Sequence, residues 1–235
     1  MYNESIQYYD KIYSQIKNYK QEVEYLIETI GQYGDFSNKE LLDVACGTGE
    51  HLKYFKSHFR AEGIDISAES VRLAKEKNPE LTIHLGDMRS FLIGKRFDII
   101  TCLFSSIGYM ISIQDLISAI GNMKRHLKHR GLMLIEPWIT PDNWKVGHIS
   151  LAVVDEEGLK IVRMSTSRKL ENLSAFDLHY LVGTPENTTY FTETHKMGLF
   201  TNEEMKNSFA ANQLRVEYDP KGPFGRGLYI AIYQE

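Results

Sequence analysis

The stretch Leu41-Leu42-Asp43-Val44-Ala45-Cys46-Gly47-Thr48-Gly49 decides the fold. An apolar run passes into a turn of small residues, and the helix-compatible segment Glu50-His51-Leu52-Lys53-Tyr54-Phe55 follows at once. Strand, tight turn and helix in that order make a ligand cradle in an α/β protein. Small residues in the turn let the backbone approach a ligand that Cβ atoms would hold off. Ile64-Asp65-Ile66 adds an acid twenty-two residues beyond Asp43, at the end of the next strand, placed to accept from both hydroxyls of a ribose.

The loop also discriminates between ligands. A triphosphate loop closes on Gly-Lys-Ser/Thr, whereas Gly49 is followed by Glu50 and His51. A dinucleotide loop reads Gly-x-Gly-x-x-Gly, and this one stops at Gly47 and Gly49. The Asp43 carboxylate repels a pyrophosphate and attracts the ammonium and sulfonium of S-adenosylmethionine. The stretch therefore reads as a methyl-donor site. The structural alternative is a plain strand-to-helix turn in which Asp43 caps the helix.

A chain of 235 residues supports one filled core, and one domain carrying an insertion is expected over two independent ones. The formal charge of -4, with no basic block, argues against a phosphate-backbone partner, so no nucleic-acid partner is expected. No apolar run approaches the ~20 residues that cross a bilayer. Met1-Tyr2-Asn3-Glu4 lacks the charge and apolar core of a signal peptide, so a cytoplasmic protein with no membrane partner is expected. Cys46 and Cys102 sit in apolar strand-end settings and read as buried thiols rather than a disulfide. No group of His, Asp and Glu has ligand-like spacing, and no metal is expected.

Residues 1–20 carry Tyr8, Tyr9, Tyr13 and Tyr19, and read either as a lid over the site or as aromatic stitching of a terminal helix. Apolar periodicity predicts helices over 21–30, 50–57, 69–77 capped by Ser67, 115–128, and 202–211 capped by Thr201. Strands are predicted over 61–66, 81–85, 97–103, 132–135, 214–218 and 228–233, besides the first. Their ends carry Gly86-Asp87-Met88, Phe104-Ser105-Ser106-Ile107-Gly108-Tyr109 and Glu136-Pro137-Trp138, on the sheet edge shared with Asp43 and Asp65. Asp87 is placed to accept from an adenine amino group with Met88 against the ring; the alternative is a solvated turn acid. From Gly147 the pattern changes to short strands separated by turns, which predicts an antiparallel insertion over 147–198 that builds an acceptor pocket. Arg226, flanked by Gly222, Gly225 and Gly227, is presented from a tight loop as an anion contact. The fold class is α/β: a Rossmann-like sheet with an inserted antiparallel β region, in one domain spanning 1–235.

The loop and its acids resemble motif I and the following acidic position of class I S-adenosylmethionine-dependent methyltransferases. Together with Gly86-Asp87-Met88-Arg89, Phe104 to Tyr109, Glu136-Pro137-Trp138 and Gly222-Pro223-Phe224-Gly225-Arg226-Gly227-Leu228, they are similar to successive blocks of the bacterial dTDP-3-amino-sugar N,N-dimethyltransferases that make desosamine and mycaminose. The resemblance spans nearly the whole chain. It implies S-adenosylmethionine as cofactor and a dTDP-linked amino sugar as substrate, lying between the core and the insertion. N,N-dimethylation of a dTDP-3-amino-3,6-dideoxyhexose is the expected reaction, and a homodimer the expected assembly.

Residue by residue, the resemblance implies that Ala45, Cys46, Gly47 and Gly49 line the methionine moiety beside Asp43. Asp65 with Ile66 then holds the ribose, Asp87 with Met88 the adenine, and Tyr19 and Phe104 border the donor. Tyr13 and His126 match polar residues near the amine. Tyr9, Ser106, Tyr109, Glu136, Trp138, His179 and Arg226 complete the acceptor set, with Arg226 near the diphosphate. On its own residues His126 reads as a charge partner at a helix C-terminus. The segment Tyr13-Ser14-Gln15-Ile16-Lys17-Asn18-Tyr19 departs from the family's longer, glycine-containing one. The implied chemistry is in-line attack of a neutral amine on a sulfonium methyl, which needs no covalent nucleophile. Other small-molecule amines or hydroxyls, RNA or protein acceptors, and a non-catalytic binding module remain as alternatives.

Overall fold

The computed structural model describes residues 4–233, so the first three residues of the expected lid segment lie outside the described residues. The chain begins with α1 (Ile6–Tyr13) and α2 (Tyr19–Gly31), then alternates β1 (Glu40–Val44), α3 (Leu52–Phe55), β2 (Arg60–Asp65), α4 (Ala68–Lys77), β3 (Thr82–Leu85) and β4 (Phe97–Cys102). A 3-10 turn (Ser106–Tyr109) leads to α5 (Ile113–Arg125) and β5 (Leu127–Ile135). Four long strands follow: β6 (Ile149–Glu156), β7 (Leu159–Leu170), β8 (Leu173–Gly183) and β9 (Thr188–Gly198). The chain ends with α6 (Asn202–Ala211), β10 (Arg215–Asp219) and β11 (Leu228–Ile232).

The strands form a seven-stranded sheet in the order β10-β11-β5-β4-β1-β2-β3 and a four-stranded meander in the order β6-β7-β8-β9. β1 pairs in parallel with β2 on one side and β4 on the other, and β5 continues in parallel beside β4. β11 and β10 close that edge antiparallel. The strand order reverses at β1, so its carboxyl end faces a crevice. A strand buried on both faces is a continuous apolar run, and β1 divides it between two cores. Leu42 and Val44 pack with Ile100, Ile120 and Met133 under α5, while Leu41 packs with Leu26, Phe55 and Ile99 under α2 and α3.

Local signals stop the helices where the sequence places them, with two exceptions. Ser67 accepts from Ser70 N–H at the start of α4, and Thr201 with Glu204 forms a reciprocal capping box on α6. The helix expected over 50–57 shrinks to α3, because residues 45–51 are spent on the cleft turn. The helix expected to reach 128 ends at Arg125, and Leu127 instead opens β5 opposite Phe97. Leu127 fits the helical spacing, but pairing in the sheet wins and Arg130 at φ 61° bends the strand. The antiparallel insertion is present as expected, with longer strands. Among the described residues no helix is long and apolar enough to cross a membrane.

Gly63 on β2 is where the cleft turn leans on the sheet. An added Cβ would stand 2.7 Å from Cys46 Sγ and 2.7 Å from Leu52 Cδ1. Overpacking a full core costs roughly 1–3 kcal/mol. Gly63→Ala is therefore expected to lower unfolding free energy by that amount in urea titrations.

Candidate active site

The carboxyl ends of β1 to β5 open onto one cleft. Its floor is the turn after β1, where Ala45 and Gly47 take φ values of 58° and 55°. The left-handed region costs a residue with a Cβ about 1–2 kcal/mol. Backbone bonds hold the turn there: Cys46 N–H donates to Ile64 O at 3.0 Å, and Gly47 N–H donates to Asp65 Oδ2 at 2.9 Å. Asp65 Oδ1 accepts from Ser67 N–H at 2.9 Å. The space over Gly47 is open, since a Cβ added there meets nothing within 4 Å.

Two cavities share this floor. One of about 250 Å³ is walled by Asp65, Ile66, Ser67, Asp87 and Met88. The other, of about 350 Å³, extends from Tyr19, Asp43 and Cys46 past Tyr13 and Phe104 to Trp138 and Arg226. Tyr9, Ala45, Gly47, Ser106 and Tyr109 line both, so the cavities meet above the β1 turn.

The electrostatics differ along the cleft. Asp43 is buried, with Oδ1 accepting from Thr101 Oγ1 at 2.7 Å. Burial pushes its carboxyl up to about 6, against the pull of His51 and the Thr101 hydroxyl. Burial also raises Asp65, opposed by the backbone N–H groups it accepts from. Asp87 is held below the usual carboxylate range by Arg89, which also reaches Asp115 at 3.0 Å. The Tyr19 hydroxyl is buried without a hydrogen-bond partner in the structure, and its ring meets His51 edge-on at 5.0 Å. Two acids with a thioether at one end, and a buried carboxylate in the same cavity as the orphaned Tyr19 phenol at the other, make a cleft that fits S-adenosylmethionine along its length.

The wall after β4 is strained. Phe104 and Ser105 both take positive φ, 49° and 62°. Glu136 Oε2 accepts from Phe104 N–H at 2.7 Å, and Ser105 Oγ donates to Pro137 O at 2.6 Å. Arg226 Nη1 donates to Ser105 Oγ at 2.9 Å, with its guanidinium 4.9 Å from the centre of the Trp138 ring.

Four expected site residues stand outside the cavities. Glu136 is fully buried behind Phe104 and clamps the backbone of that wall. Gly49 faces α4, where a Cβ would stand 2.9 Å from Asn78 Nδ2. His126 follows α5 at the amino edge of the sheet, opposite the cleft; its Nε2 accepts from Ile93 N–H at 3.1 Å and its Nδ1 lies 2.9 Å from Asn122 O. His179 lies on β8 between the inward-facing Leu178 and Tyr180, so strand alternation turns it to the outer face, where it meets the Tyr190 hydroxyl at 2.7 Å.

Other cleft residues carry no role from the sequence alone, Arg163 among them, since the basic residues Lys160, Arg163 and Arg168 of the insertion offer no way to choose a diphosphate contact. His51 lines the wall beside Asp43, its Nε2 3.0 Å from Glu22 Oε2, and Lys17 Nζ meets the same oxygen at 2.7 Å. Against the cost of burial, His51 and Lys17 hold the Glu22 carboxyl below its ordinary value. From the second sheet, Arg163, Ser165 and Ser167 of β7 and Phe176 and Leu178 of β8 face inward. Their signal is the alternation of β7, which puts arginine and serines on one face and Val162 and Met164 on the other.

Residues 41–131 match a methyltransferase domain family model. The dTDP-3-amino-3,6-dideoxy-alpha-D-glucopyranose N,N-dimethyltransferase of Streptomyces fradiae is 38% identical over 82% of this chain and 76% of that protein. The chain belongs to the dTDP-amino-sugar N,N-dimethyltransferase family. Among solved structures of the same kind, DesVI of Streptomyces venezuelae superposes with a TM-score of 0.92 at 32% identity, covering 99% of both chains. CalS10, an amino pentose methyltransferase of Micromonospora echinaspora solved with S-adenosylmethionine bound, superposes with a TM-score of 0.87 at 29% identity, covering 100% of this chain and 98% of that one. As a member of this family the protein is an S-adenosylmethionine-dependent methyltransferase.

Asp43 predicts how cofactor binding responds to pH. Ionised above about 6, its carboxylate attracts the cationic methionine end; protonated below, it loses that attraction. S-adenosylmethionine affinity measured by calorimetry is expected to fall about ten-fold as pH drops from 7 to 5, at ~1.4 kcal/mol per pKa unit. Asp43→Asn is expected to bind weakly throughout and to lose that slope.

Proposed function

We propose that this enzyme methylates the amino nitrogen of a dTDP-linked amino sugar, adding two methyl groups in successive cycles to a 3-amino-3,6-dideoxyhexose. The observation that carries this reading is the shared junction of the two cavities. A donor pocket with acids for ribose and adenine opens, over Ala45 and Gly47, into a second pocket lined by aromatic rings, hydroxyls and Arg226. That second pocket suits a sugar carrying a base and a diphosphate: rings for stacking, serines for hydroxyls, a guanidinium for phosphate oxygens.

S-adenosylmethionine supplies an electrophilic sulfonium methyl when bound. The chain's own residues orient the acceptor and exclude water. Tyr13 lines the second pocket, its ring edge-on to Phe104 at 5.1 Å and under the Arg163 guanidinium at 4.9 Å. α1 is the lid in this reading. Its Asp10 accepts from Thr48 Oγ1 at 2.6 Å on the donor side, and Ser5 donates to Glu193 on the second sheet at 2.5 Å. Closing the cleft strips water from the amine and leaves its lone pair as the nucleophile.

A homodimer is the assembly we propose, through the outer face of the second sheet. Ile149, Leu151, Val153, Val162, Met164, Leu181 and Tyr190 are exposed there. Four strands at ~4.8 Å spacing, eleven residues long in β8 at ~3.3 Å each, present about 700 Å², near the ~800 Å² per partner of a standard interface. We place the reaction in the cytoplasm, where the free thiols Cys46 and Cys102 stay reduced.

Two measurements test these readings. Incubation with S-adenosylmethionine and a panel of dTDP-3-amino and dTDP-4-amino sugars is expected to give products one and then two methyl groups heavier from the 3-amino members. Cofactor binding without any mass gain sinks the substrate assignment. For the assembly, light scattering is expected to give twice the chain mass for the wild type and the monomer mass for Leu151→Glu; a wild-type monomer overturns the dimer.

A further inference from the structure

Resting on the amino-sugar reading, we infer that Tyr109 orients the acceptor amine and that His195 is the positioning residue that sets the polarity of the Tyr109 hydroxyl. Tyr109 ends the 3-10 turn after β4 and lines both cavities, so it borders the place where donor and acceptor meet. Its hydroxyl oxygen is 2.8 Å from His195 Nδ1. His195 projects inward from β9 and is almost wholly buried. Its ring lies parallel to Phe176, tilted 6° with centroids 5.5 Å apart, which fixes the imidazole plane.

The direction of the Tyr109 hydrogen bond follows from the other side of that ring. Glu193, two residues earlier on the same face of β9, brings Oε2 to 3.8 Å from His195 Nε2. Burial holds His195 below its ordinary value, against Glu193 and together with the Arg163 charge, so the imidazole is neutral at physiological pH. A neutral imidazole has one N–H. At 3.8 Å the carboxylate is beyond hydrogen-bond reach, but its charge favours the N–H at Nε2, leaving the Nδ1 lone pair for the Tyr109 hydroxyl. Burial raises Tyr109 so that it stays protonated, and its O–H donates to Nδ1.

This polarity matters for the nucleophile. With its hydrogen committed to His195, the Tyr109 oxygen presents lone pairs to the cleft. An amine N–H donates to that oxygen, and the nitrogen lone pair is left facing the junction over Gly47. The reverse polarity would aim O–H at the amine and occupy the lone pair that must attack. Each transfer would form an N–C bond as the S–C bond breaks and S-adenosylhomocysteine departs, and the resulting ammonium gives one proton to solvent; the neutral monomethyl amine keeps one N–H, so the same contact serves the second cycle. No bond to the enzyme forms and no proton leaves the Tyr109–His195 pair.

The pair is tested in two arms. In the first, nitrogen-15 NMR of the wild-type protein reports the His195 tautomer without any acceptor present; Nε2–H is expected, and Nδ1–H overturns the proposal. In the second, His195→Phe keeps the stacked ring and removes the acceptor, and is expected to lower kcat about ten-fold, the value of one neutral hydrogen bond. KM for the amino sugar and S-adenosylmethionine affinity should change less than two-fold, the latter confirming the fold. His195→Asn restores an acceptor near the Nδ1 position and should recover most of kcat. Tyr109→Phe should match His195→Phe, and the double variant should lose no more than either single one. Additive losses, an unrecovered His195→Asn, or an undiminished His195→Phe each overturn the proposal. Wild-type enzyme that methylates no amino sugar overturns the substrate reading instead and takes the amine contact with it, whatever tautomer the NMR shows.

Discussion

The hydrogen bond from Gly47 N–H to the Asp65 carboxylate is the constraint on which the cleft depends. It joins the turn after β1 to the end of β2 and holds two departures from right-handed backbone, at Gly47, where glycine takes it freely, and at Ala45, where the Cβ makes it costly. The same carboxylate accepts from Ser67 N–H just before α4, so one acid fixes the donor turn and the entry to the next helix. Gly63 allows the approach by letting Cys46 and Leu52 settle on β2. The donor pocket is thus pre-formed by the sheet, and binding pays little to organise it.

The acceptor side is held differently. Phe104 and Ser105 carry the strain there, and two side chains hold them: the buried Glu136 accepts from the Phe104 amide, and the half-buried Arg226 donates to the Ser105 hydroxyl. α1 divides its anchors. Ile12 packs with Val154, Ile161 and Leu178 of the second sheet, while its link to the donor turn is the polar bond from Thr48 to Asp10. Its apolar contacts also span the cleft, since the Tyr13 ring meets Phe104 and the buried Ile6 lines the cavity of Asp87 and Met88.

How much of this could be read from the chain follows from how local each signal is. The β1 turn, Asp65 and Asp87 are legible because strand, turn and acid lie within a few residues of one another, and parallel strands bring their ends to one edge. His126 was unreadable for the opposite reason: Leu127 satisfies helical spacing, so the switch to β5 is decided by pairing with Phe97 across the sheet. His179 depended on the phase of β8, where a shift of one residue exchanges the faces. His51 and His195 become site residues through Glu22 and Glu193, partners that only the folded register brings within reach.

The second sheet follows the usual rule at one end, where Val154, Ile161, Leu178, Tyr180 and Val182 form a buried apolar cluster, and departs from it at the cleft end of β7. Toward the cleft β7 presents Arg163, Ser165 and Ser167, and outward it presents Val162 and Met164. Ordinary folding gains nothing from burying an arginine and two serines, since their desolvation must be offset by hydrogen bonds. Inward polarity makes sense where the occupant of the interior is itself polar. In the proposed reading a sugar carrying a diphosphate supplies hydroxyls and anionic oxygens to such a wall, and the clustered rings of Trp138, Trp144 and Phe176 offer faces for a base. The outward apolar residues then need cover of their own. A single choice of strand phase thereby sets both a polar wall on the cleft and an apolar outer face, and the two cannot be separated by sliding the strand.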